Sequence, residues 1–460
     1  MDTIQNTIYD AVIIGGGPAG YGAALRIAQL GGKTCVVEKN KVGGVCANVG
    51  CIPTKTFLSI AHLLSLTKKA TTAGIVVGNI NPDYAAIQRH VQATVDKTVW
   101  GIQQLLKSAD IKIIEGCAFP ISAQEVQVFA DEQKSSLKCT LKTRNIIIAT
   151  GSKSKLPPLL HPRIITSNEI FMLDSIPQEL IIIGGGYIGL EIASIFSGLG
   201  SKVTIIEILP GILSGEDSEI TAEMQRLMEK EGITFFTDSK VEEFMPQEDC
   251  IQLKVLHAKT KQQSLLTSDI VLYAVGRIPV FDQEQLSTLG IETTAAGIIV
   301  DDTMQTTLPG AYTVGDVTGK FMLAHVALHQ GIVAAESVMG LSNVMNYERV
   351  PRCIYTLPEI AFIGKKGNSE GKFHFTANGR ALTENQTEGM VKAYLQNEMV
   401  VGFSILGPHA CELIAFAGSM LGKDYKEIKK MIVAHPTLAE AIWEAVLDAK
   451  KEAVHKLPRR

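Results

Sequence analysis

Two cysteines, Cys46 and Cys51, stand five positions apart in GGVCANVGCIPTK, Gly43 to Lys55. Such a pair can staple a loop, hold a metal or carry electrons. As a staple it would close so short a loop that it stabilises by only about 2 kcal/mol. As metal ligands the two need further donors at zinc spacing, and the segment supplies none. Redox chemistry fits better. Pro53 suits the first turn of the helix in TKTFLSIAHLLSL, so Cys51 is expected just before a helix N-terminus, whose dipole stabilises a thiolate.

Near the C-terminus His435 precedes Pro436 in HPTLAEAIWEAV, with Leu438, Ala441, Ile442, Ala445 and Val446 at helical spacing. The proline keeps His435 extended, outside that helix. Glu440 in an early turn can reach back to the ring, and a carboxylate there would fix the imidazole tautomer and stabilise its cation, as a base and its orienting acid do; taken alone, a His-Pro is more often a capping or core histidine. Glu191 is a third candidate. It lies among Leu190, Ile192 and Ala193, and a carboxylate buried there is costly unless paired.

The elements that must position these groups are visible as a duplication. AVIIGGGPAGYGAALRIAQLGGKTCVVE (Ala11 to Glu38) aligns without a gap on LIIIGGGYIGLEIASIFSGLGSKVTIIE (Leu180 to Glu207). Each copy has an apolar strand, a glycine turn, a helix and a second strand, which is a βαβ unit of a parallel sheet. Gly15, Gly17 and Gly20 form one G-x-G-x-x-G, and Gly184, Gly186 and Gly189 the other. The first glycine turns the strand, the second admits a pyrophosphate and the third lets helix pack on strand. The diphosphate rests on free N–H groups at the helix start. Glu38 and Glu207 each end the next strand, 23 positions after the first glycine, where an acid bonds ribose hydroxyls. Glu207 would repel a 2′-phosphate, and no basic residue follows it before Arg226, so NAD is favoured over NADP at the second site.

The 460 residues are 46% hydrophobic and 20% charged, enough for several cores. A net charge of −4 gives no footprint for nucleic acid. Eight cysteines are too few for a disulfide-stapled secreted fold, which points to a reducing, cytoplasmic setting. The N-terminus lacks a basic, apolar leader. Leu180 to Gly200 has the length of a membrane span, but Glu191 and its glycines read as strand, turn and buried helix, so no membrane partner is expected. The expected fold class is α/β: two Rossmann-like dinucleotide-binding domains plus a C-terminal α+β dimerisation domain. The boundaries are 1–150 for an FAD-binding domain and 151–278 for an NAD-binding domain. A central segment, 279–346, completes the FAD site, and 347–460 forms the interface domain.

The ordered set GGVCANVGCIPTK, IIIATGS, AVGRIP, TTLPGAYTVGDV, MLAHVALHQG, VPRCIYTLPEIAFIG, GPHACELI and AHPTLAEAIWEAV resembles the flavin-dependent pyridine nucleotide–disulfide oxidoreductases over almost the whole chain. The resemblance is nearest to the branch that oxidises protein-bound dihydrolipoamide with NAD. It implies a redox disulfide in which Cys46 faces substrate and Cys51 faces the flavin. It implies a Lys55–Glu191 pair beside the flavin edge where hydride crosses, and His435 with Glu440 as base and orienting acid serving the disulfide of a partner chain in a homodimer. For FAD it implies contacts at Gly15, Gly17, Gly20, Glu38, Lys55, Ala118, Thr150, Gly151, Asp316, Ala324 and His325. For NAD the implied contacts are Gly184, Gly186, Gly189, Glu207, Val241, Gly276 and Arg277. No resident metal is implied. The implied partners are lipoyl-bearing acyltransferases of 2-oxoacid dehydrogenase complexes or the lipoyl carrier of glycine cleavage. Val45, Ala47 and Gln330 depart from the usual pattern. The alternatives are a glutathione-type or mercuric reductase, or a non-catalytic nucleotide sensor. The first two predict NADP-selecting arginines or a C-terminal cysteine pair, and the last a lost Cys or His.

Overall fold

Ile8–Ile14 carries apolar side chains on both faces, so it is buried on both and pairs on both edges: Ala11 and Ile13 share a core with helix residues such as Ala23 and Val95, and Val12 and Ile14 one with Val126, Val128 and Leu141 of neighbouring strands. In this computed structural model, which describes residues 7–456, it runs parallel to Thr34–Glu38 on one side and to Leu137–Ile148 on the other. Lys112–Glu115 extends the sheet beyond Thr34–Glu38. The first half of Leu137–Ile148 instead leads an antiparallel meander with Glu125–Phe129 and Cys117–Ser122.

The second unit repeats the plan. Glu179–Ile183 lies between Lys202–Ile206 and Ile270–Tyr273, all parallel, with Thr234–Phe236 and Ile164–Ile165 at the edges. Its antiparallel meander is Ser239–Pro246, Ile251–His257 and Gln263–Ser268. The duplicated sequence is thus a duplicated sheet-plus-meander. Leu180 to Gly200 forms the end of a strand, a turn and the helix Tyr187–Leu199.

The segment 279–346, expected to complete the FAD site, packs onto the first unit. Its strand Ala311–Thr313 adds in parallel to Leu137–Ile148, and its helix Ala324–Val338 packs on Pro18–Gln29. Val300, Met304, Val314, Val326 and Val333 share a core with Ala11, Ile13, Ala23 and Val36. Short apolar strands cannot stand alone, so this segment completes the first sheet after the second unit has been inserted. From Arg352 onward an antiparallel sheet takes over, in the order Arg352–Ile354, Glu359–Gly364, Met399–Gly407, Met390–Gln396, Ser369–His374. The helices Ala410–Gly418 and Glu440–Asp448 pack on it.

One helix joins the units. Cys51–Lys69 buries Phe57 and Leu58 in a core shared with Leu190 and Phe196 of the second unit and Ile354 and Phe362 of the third. Phe57 stacks on Phe171 at 4.4 Å. Gly198 lets the helices meet, since a Cβ there would stand 3.0 Å from that of Ala61. By length and composition the stretch Gly44–Ala73 could cross a membrane, but its helix Cys51–Lys69, which carries Cys51 and Lys55, packs against the second unit.

Candidate active site

Both glycine turns are built so that helix sits on strand. A Cβ on Gly20 would lie 1.8 Å from the Gly15 carbonyl oxygen, and one on Gly189 would lie 2.0 Å from that of Gly184. Gly15 and Gly184 themselves have φ of 108° and 115°, which disfavour any residue with a Cβ. The helices that follow, Pro18–Gln29 and Tyr187–Leu199, start at Gly17 and Gly186 without a capping side chain, so their first N–H groups are free for an anion. The two acids are held identically. Glu38 accepts from the Gly16 N–H at 2.6 Å and the Asn40 N–H at 2.8 Å. Glu207 accepts from the Gly185 N–H at 2.6 Å and the Leu209 N–H at 2.8 Å.

A single cavity of about 2420 Å³ is lined by both turns, both acids, both cysteines, Lys55 and Glu191. The residues fit two dinucleotides. A Cβ on Gly186, Gly151 or Gly276 would meet nothing within 4 Å, so backbone at those points borders open space. Ala118, Thr150, Gly151, Asp316 and Ala324 line this cavity, as do Val241 and Gly276. Gly20 and Gly189 do not, in keeping with their packing role.

Cys46 lies in a short helix, Gly44–Asn48, and Cys51 opens the long helix Cys51–Lys69. Cys51 is therefore the first helical residue rather than one just outside. The two thiols are unlinked, and they respond oppositely to their surroundings. The Cys46 thiol donates to Cys51, and with the Lys55 charge it brings Cys51 down to about 7 against the opposing effect of burial. The same hydrogen bond, together with burial, pushes Cys46 far above the usual thiol range. Cys51 is the more acidic sulfur of the pair and Cys46 the one that holds its proton more tightly. Gly44 brings this segment against the first glycine turn, because a Cβ there would stand 2.8 Å from the Gly17 Cα.

Lys55 Nζ donates to both Glu191 oxygens, at 2.9 and 2.8 Å. The Glu191 carboxylate also accepts the Tyr355 N–H at 3.0 Å, and Lys55 lies 4.7 Å from the centroid of the Tyr355 ring. The buried carboxylate thus has the partners its position demands. Opposite, Ser152 Oγ donates to Asp316 Oδ2 at 2.5 Å and accepts from Arg277 Nε at 2.7 Å, and Arg277 also donates to the Ser152 carbonyl. Arg277, expected among the NAD contacts, is therefore tied to an aspartate expected on the FAD side. It gets there because Arg277–Pro279 pairs with Ser152–Ser154.

His325, expected to contact FAD, does not line the cavity; its Nε2 lies 2.8 Å from the Pro351 carbonyl. Leu323 is the N-cap of helix Ala324–Val338, and it and Ala324 face the cavity while His325 points to Pro351. His435 and Glu440 also lie outside the cavity. His435 Nδ1 is 2.9 Å from Glu440 Oε1, and Glu440 Oε2 accepts the Thr437 N–H at 2.8 Å. Burial works to raise Glu440, but the Thr437 N–H and the imidazole outweigh it and hold the carboxyl below its usual range. The His435 side chain is 72% exposed in the single chain. Sequence reasoning missed Lys240, Tyr187, Arg352 and Tyr355, which tertiary folding brings to the site. Lys240 lines the cavity on the Glu207 side, within 3.8 Å of Glu242. At a departure from the usual pattern, Gln330 accepts the Gly315 N–H and donates to the Tyr347 hydroxyl.

Two nucleotide cradles meeting at a dithiol define a flavin-dependent disulfide oxidoreductase. Residues 9–331 match the pyridine nucleotide-disulphide oxidoreductase family, and residues 350–446 match its dimerisation domain. The chain belongs to that family. It is 37% identical to a dihydrolipoyl dehydrogenase of Bacillus subtilis, over 96% of this chain and 99% of that protein. It is 35% identical to the dihydrolipoyl dehydrogenase of Geobacillus stearothermophilus, over 97% of each. The fold also matches the crystal structure of LpdA from Mycobacterium tuberculosis with a TM-score of 0.86 at 23% identity, covering 95% of this chain and 98% of that one.

Proposed function

We infer that the chain is a dihydrolipoyl dehydrogenase, using FAD and NAD to oxidise a dihydrolipoyl dithiol. The observation that carries this reading is the one cavity lined by both glycine turns, both ribose acids and the Cys46–Cys51 pair. Bound FAD supplies a two-electron relay between the dithiol and NAD. The protein's own residues perform the sulfur and proton chemistry. With Cys46 and Cys51 joined, a substrate thiolate attacks the Cys46 sulfur, the S–S bond breaks and Cys51 leaves as a thiolate. Its lowered affinity for a proton makes it the better leaving group. The second substrate thiol then attacks its own partner sulfur, releasing Cys46 and closing the lipoyl disulfide.

A base must remove that second proton. We assign this to His435 of the partner subunit, with Glu440 orienting the ring, since within one chain the imidazole is exposed and outside the cavity that holds the dithiol. The family's dimerisation domain at residues 350–446 supports a homodimer. Lys55 and Glu191 are assigned to the hydride-crossing edge and Glu38 and Glu207 to the two riboses. The partners we propose are lipoyl-bearing acyltransferases of 2-oxoacid dehydrogenase complexes or the glycine-cleavage lipoyl carrier. A reducing, cytoplasmic compartment agrees with the chain's sparse cysteines.

The test is stopped-flow reduction of the holoenzyme by dihydrolipoamide, glutathione and other thiols. Rapid reduction by dihydrolipoamide alone is the expected result, and faster reduction by glutathione would overturn the substrate assignment.

A further inference from the structure

A second pair of sulfurs lies beside the first site. Cys353, on Arg352–Ile354, lines the large cavity together with Arg352, Lys55 and Glu191. Cys411 is the second residue of helix Ala410–Gly418 and is 8% exposed. Its N–H donates to Glu359 Oε2 at 2.9 Å, and its sulfur lies 3.6 Å from the Ile354 carbonyl oxygen and 3.8 Å from that of Ile360. Ile354 directly follows Cys353 on that strand, so the Cys411 sulfur lies against the backbone beside Cys353, and the two cysteines are unlinked. Neither takes part in the lipoyl chemistry above.

The surroundings divide this pair much as they divide Cys46 and Cys51. The hydrogen bond from Cys411, aided by the Lys55 charge, holds Cys353 below the usual thiol range despite burial. Cys411 is pushed far above that range by the same bond and by burial. Cys353 thus borders the cavity, while the buried Cys411 sulfur lies behind it at the carbonyl of the next residue on the strand. No group of three or more His, Cys, Asp or Glu side chains able to hold a metal occurs among the described residues, which argues against a metal role.

We propose that Cys353 and Cys411 form a second redox dithiol, in which Cys353 reacts with hydrogen peroxide and Cys411 resolves the product to a disulfide. The Cys353 thiolate attacks one peroxide oxygen, the O–O bond breaks and hydroxide leaves, giving a sulfenic acid. The Cys411 sulfur then attacks the Cys353 sulfur. An S–S bond forms, the S–OH bond breaks, and the hydroxyl departs with the Cys411 proton as water. The pair loses two electrons, and with one proton from solvent the peroxide becomes two waters.

The proposal is independent of the lipoyl reading and is tested without measuring turnover. Reduced holoenzyme, freed of reductant, is titrated with hydrogen peroxide, its remaining thiols are alkylated, and its peptides are mapped by mass spectrometry. A Cys353–Cys411 linked peptide should rise with peroxide and disappear on treatment with dithiothreitol. Dimedone should label Cys353 in Cys411→Ser, and Cys411 in Cys353→Ser should be labelled at least tenfold less. The idea is overturned if both cysteines remain alkylatable once Cys46 and Cys51 are oxidised, or if either joins Cys46 or Cys51 instead. Dimedone labelling confined to Cys411 would also overturn it. The linkage is read in the unsubstituted chain, so a variant that fails to fold does not shield the proposal.

Discussion

Lys55 Nζ and Glu191 Oε2 lie 2.8 Å apart although 136 positions separate them in the chain. The contact exists because Cys51–Lys69 and Tyr187–Leu199 pack against each other, bringing the redox helix of one unit onto the nucleotide helix of the next. Glu191 is the more deeply placed partner, with its side chain 8% exposed against 35% for Lys55.

Removing one member of this pair should therefore destabilise more than removing both. Breaking a fully buried ion pair costs about 3–5 kcal/mol, and the partial exposure of Lys55 reduces this to about 2 kcal/mol. Lys55→Met should cost that much, and Lys55→Met/Glu191→Leu distinctly less. Chemical denaturation of four holoenzymes, the unsubstituted, Lys55→Met, Glu191→Leu and doubly substituted, measures the cycle, and additive losses would show that the two groups are not coupled.

The reduced enzyme should alkylate at Cys51 with a midpoint near pH 7. The sign follows from the ionisation: the reactive thiolate is lost as pH falls below about 7 and is fully present above it. Cys46→Ala deletes the donor that favours the thiolate, so the midpoint should move up, towards that of an ordinary thiol. Iodoacetamide rates followed from pH 5 to 10 would reveal either outcome.

Nucleotide choice should rest on Glu207. Placing a 2′-phosphate against its carboxylate costs several kcal/mol, so NADH should outperform NADPH by roughly 100-fold in kcat/KM. Glu207→Ala/Ile208→Arg should narrow that gap, with Lys240 adding to the attraction. Equal efficiencies in the unmodified enzyme would refute the assignment.

Gly189→Ala should disable the second nucleotide site without touching the dithiol. The new methyl group cannot share space with the Gly184 carbonyl oxygen, so the helix start must shift and its N–H groups lose their aim. NADH binding measured by fluorescence quenching should weaken at least tenfold, while Cys51 alkylation stays unchanged.

His435→Gln should slow dihydrolipoamide oxidation by about 10²–10⁴-fold, the usual contribution of a positioned base. Flavin reduction by NADH should hardly change, and Glu440→Gln should cost less than loss of the base itself. Mixing Cys46→Ser and His435→Gln chains tests the shared site. A heterodimer unites one intact dithiol with one intact imidazole only if each site spans the interface, so activity should reappear. Confirmed heterodimers without activity would place the site within a single chain.

What local pattern encodes was legible in the sequence. A glycine that must leave room for a carbonyl, an acid ending the next strand and a proline in a first helical turn are short-range requirements. Gly15 to Glu38 and Gly184 to Glu207 therefore announced two nucleotide folds, and the spacing of Cys46 and Cys51 pointed to a redox pair, whereas the roles of His435 and Glu440 came only from the family resemblance. Long-range packing decided the rest. Ala311–Thr313 is too short a strand to reveal which sheet it joins, and only its pairing with Leu137–Ile148 made the first domain discontinuous. His325 and Ala324 are neighbours in sequence, yet helix geometry turns one towards Pro351 and the other to the cavity. Arg277 reached Asp316 through strand pairing, and Cys353 met Cys411 through the packing of a helix on a sheet. Sequence spacing fixes directions over a turn or a strand, whereas contacts between distant segments depend on burial and register, which arise only when the whole core closes.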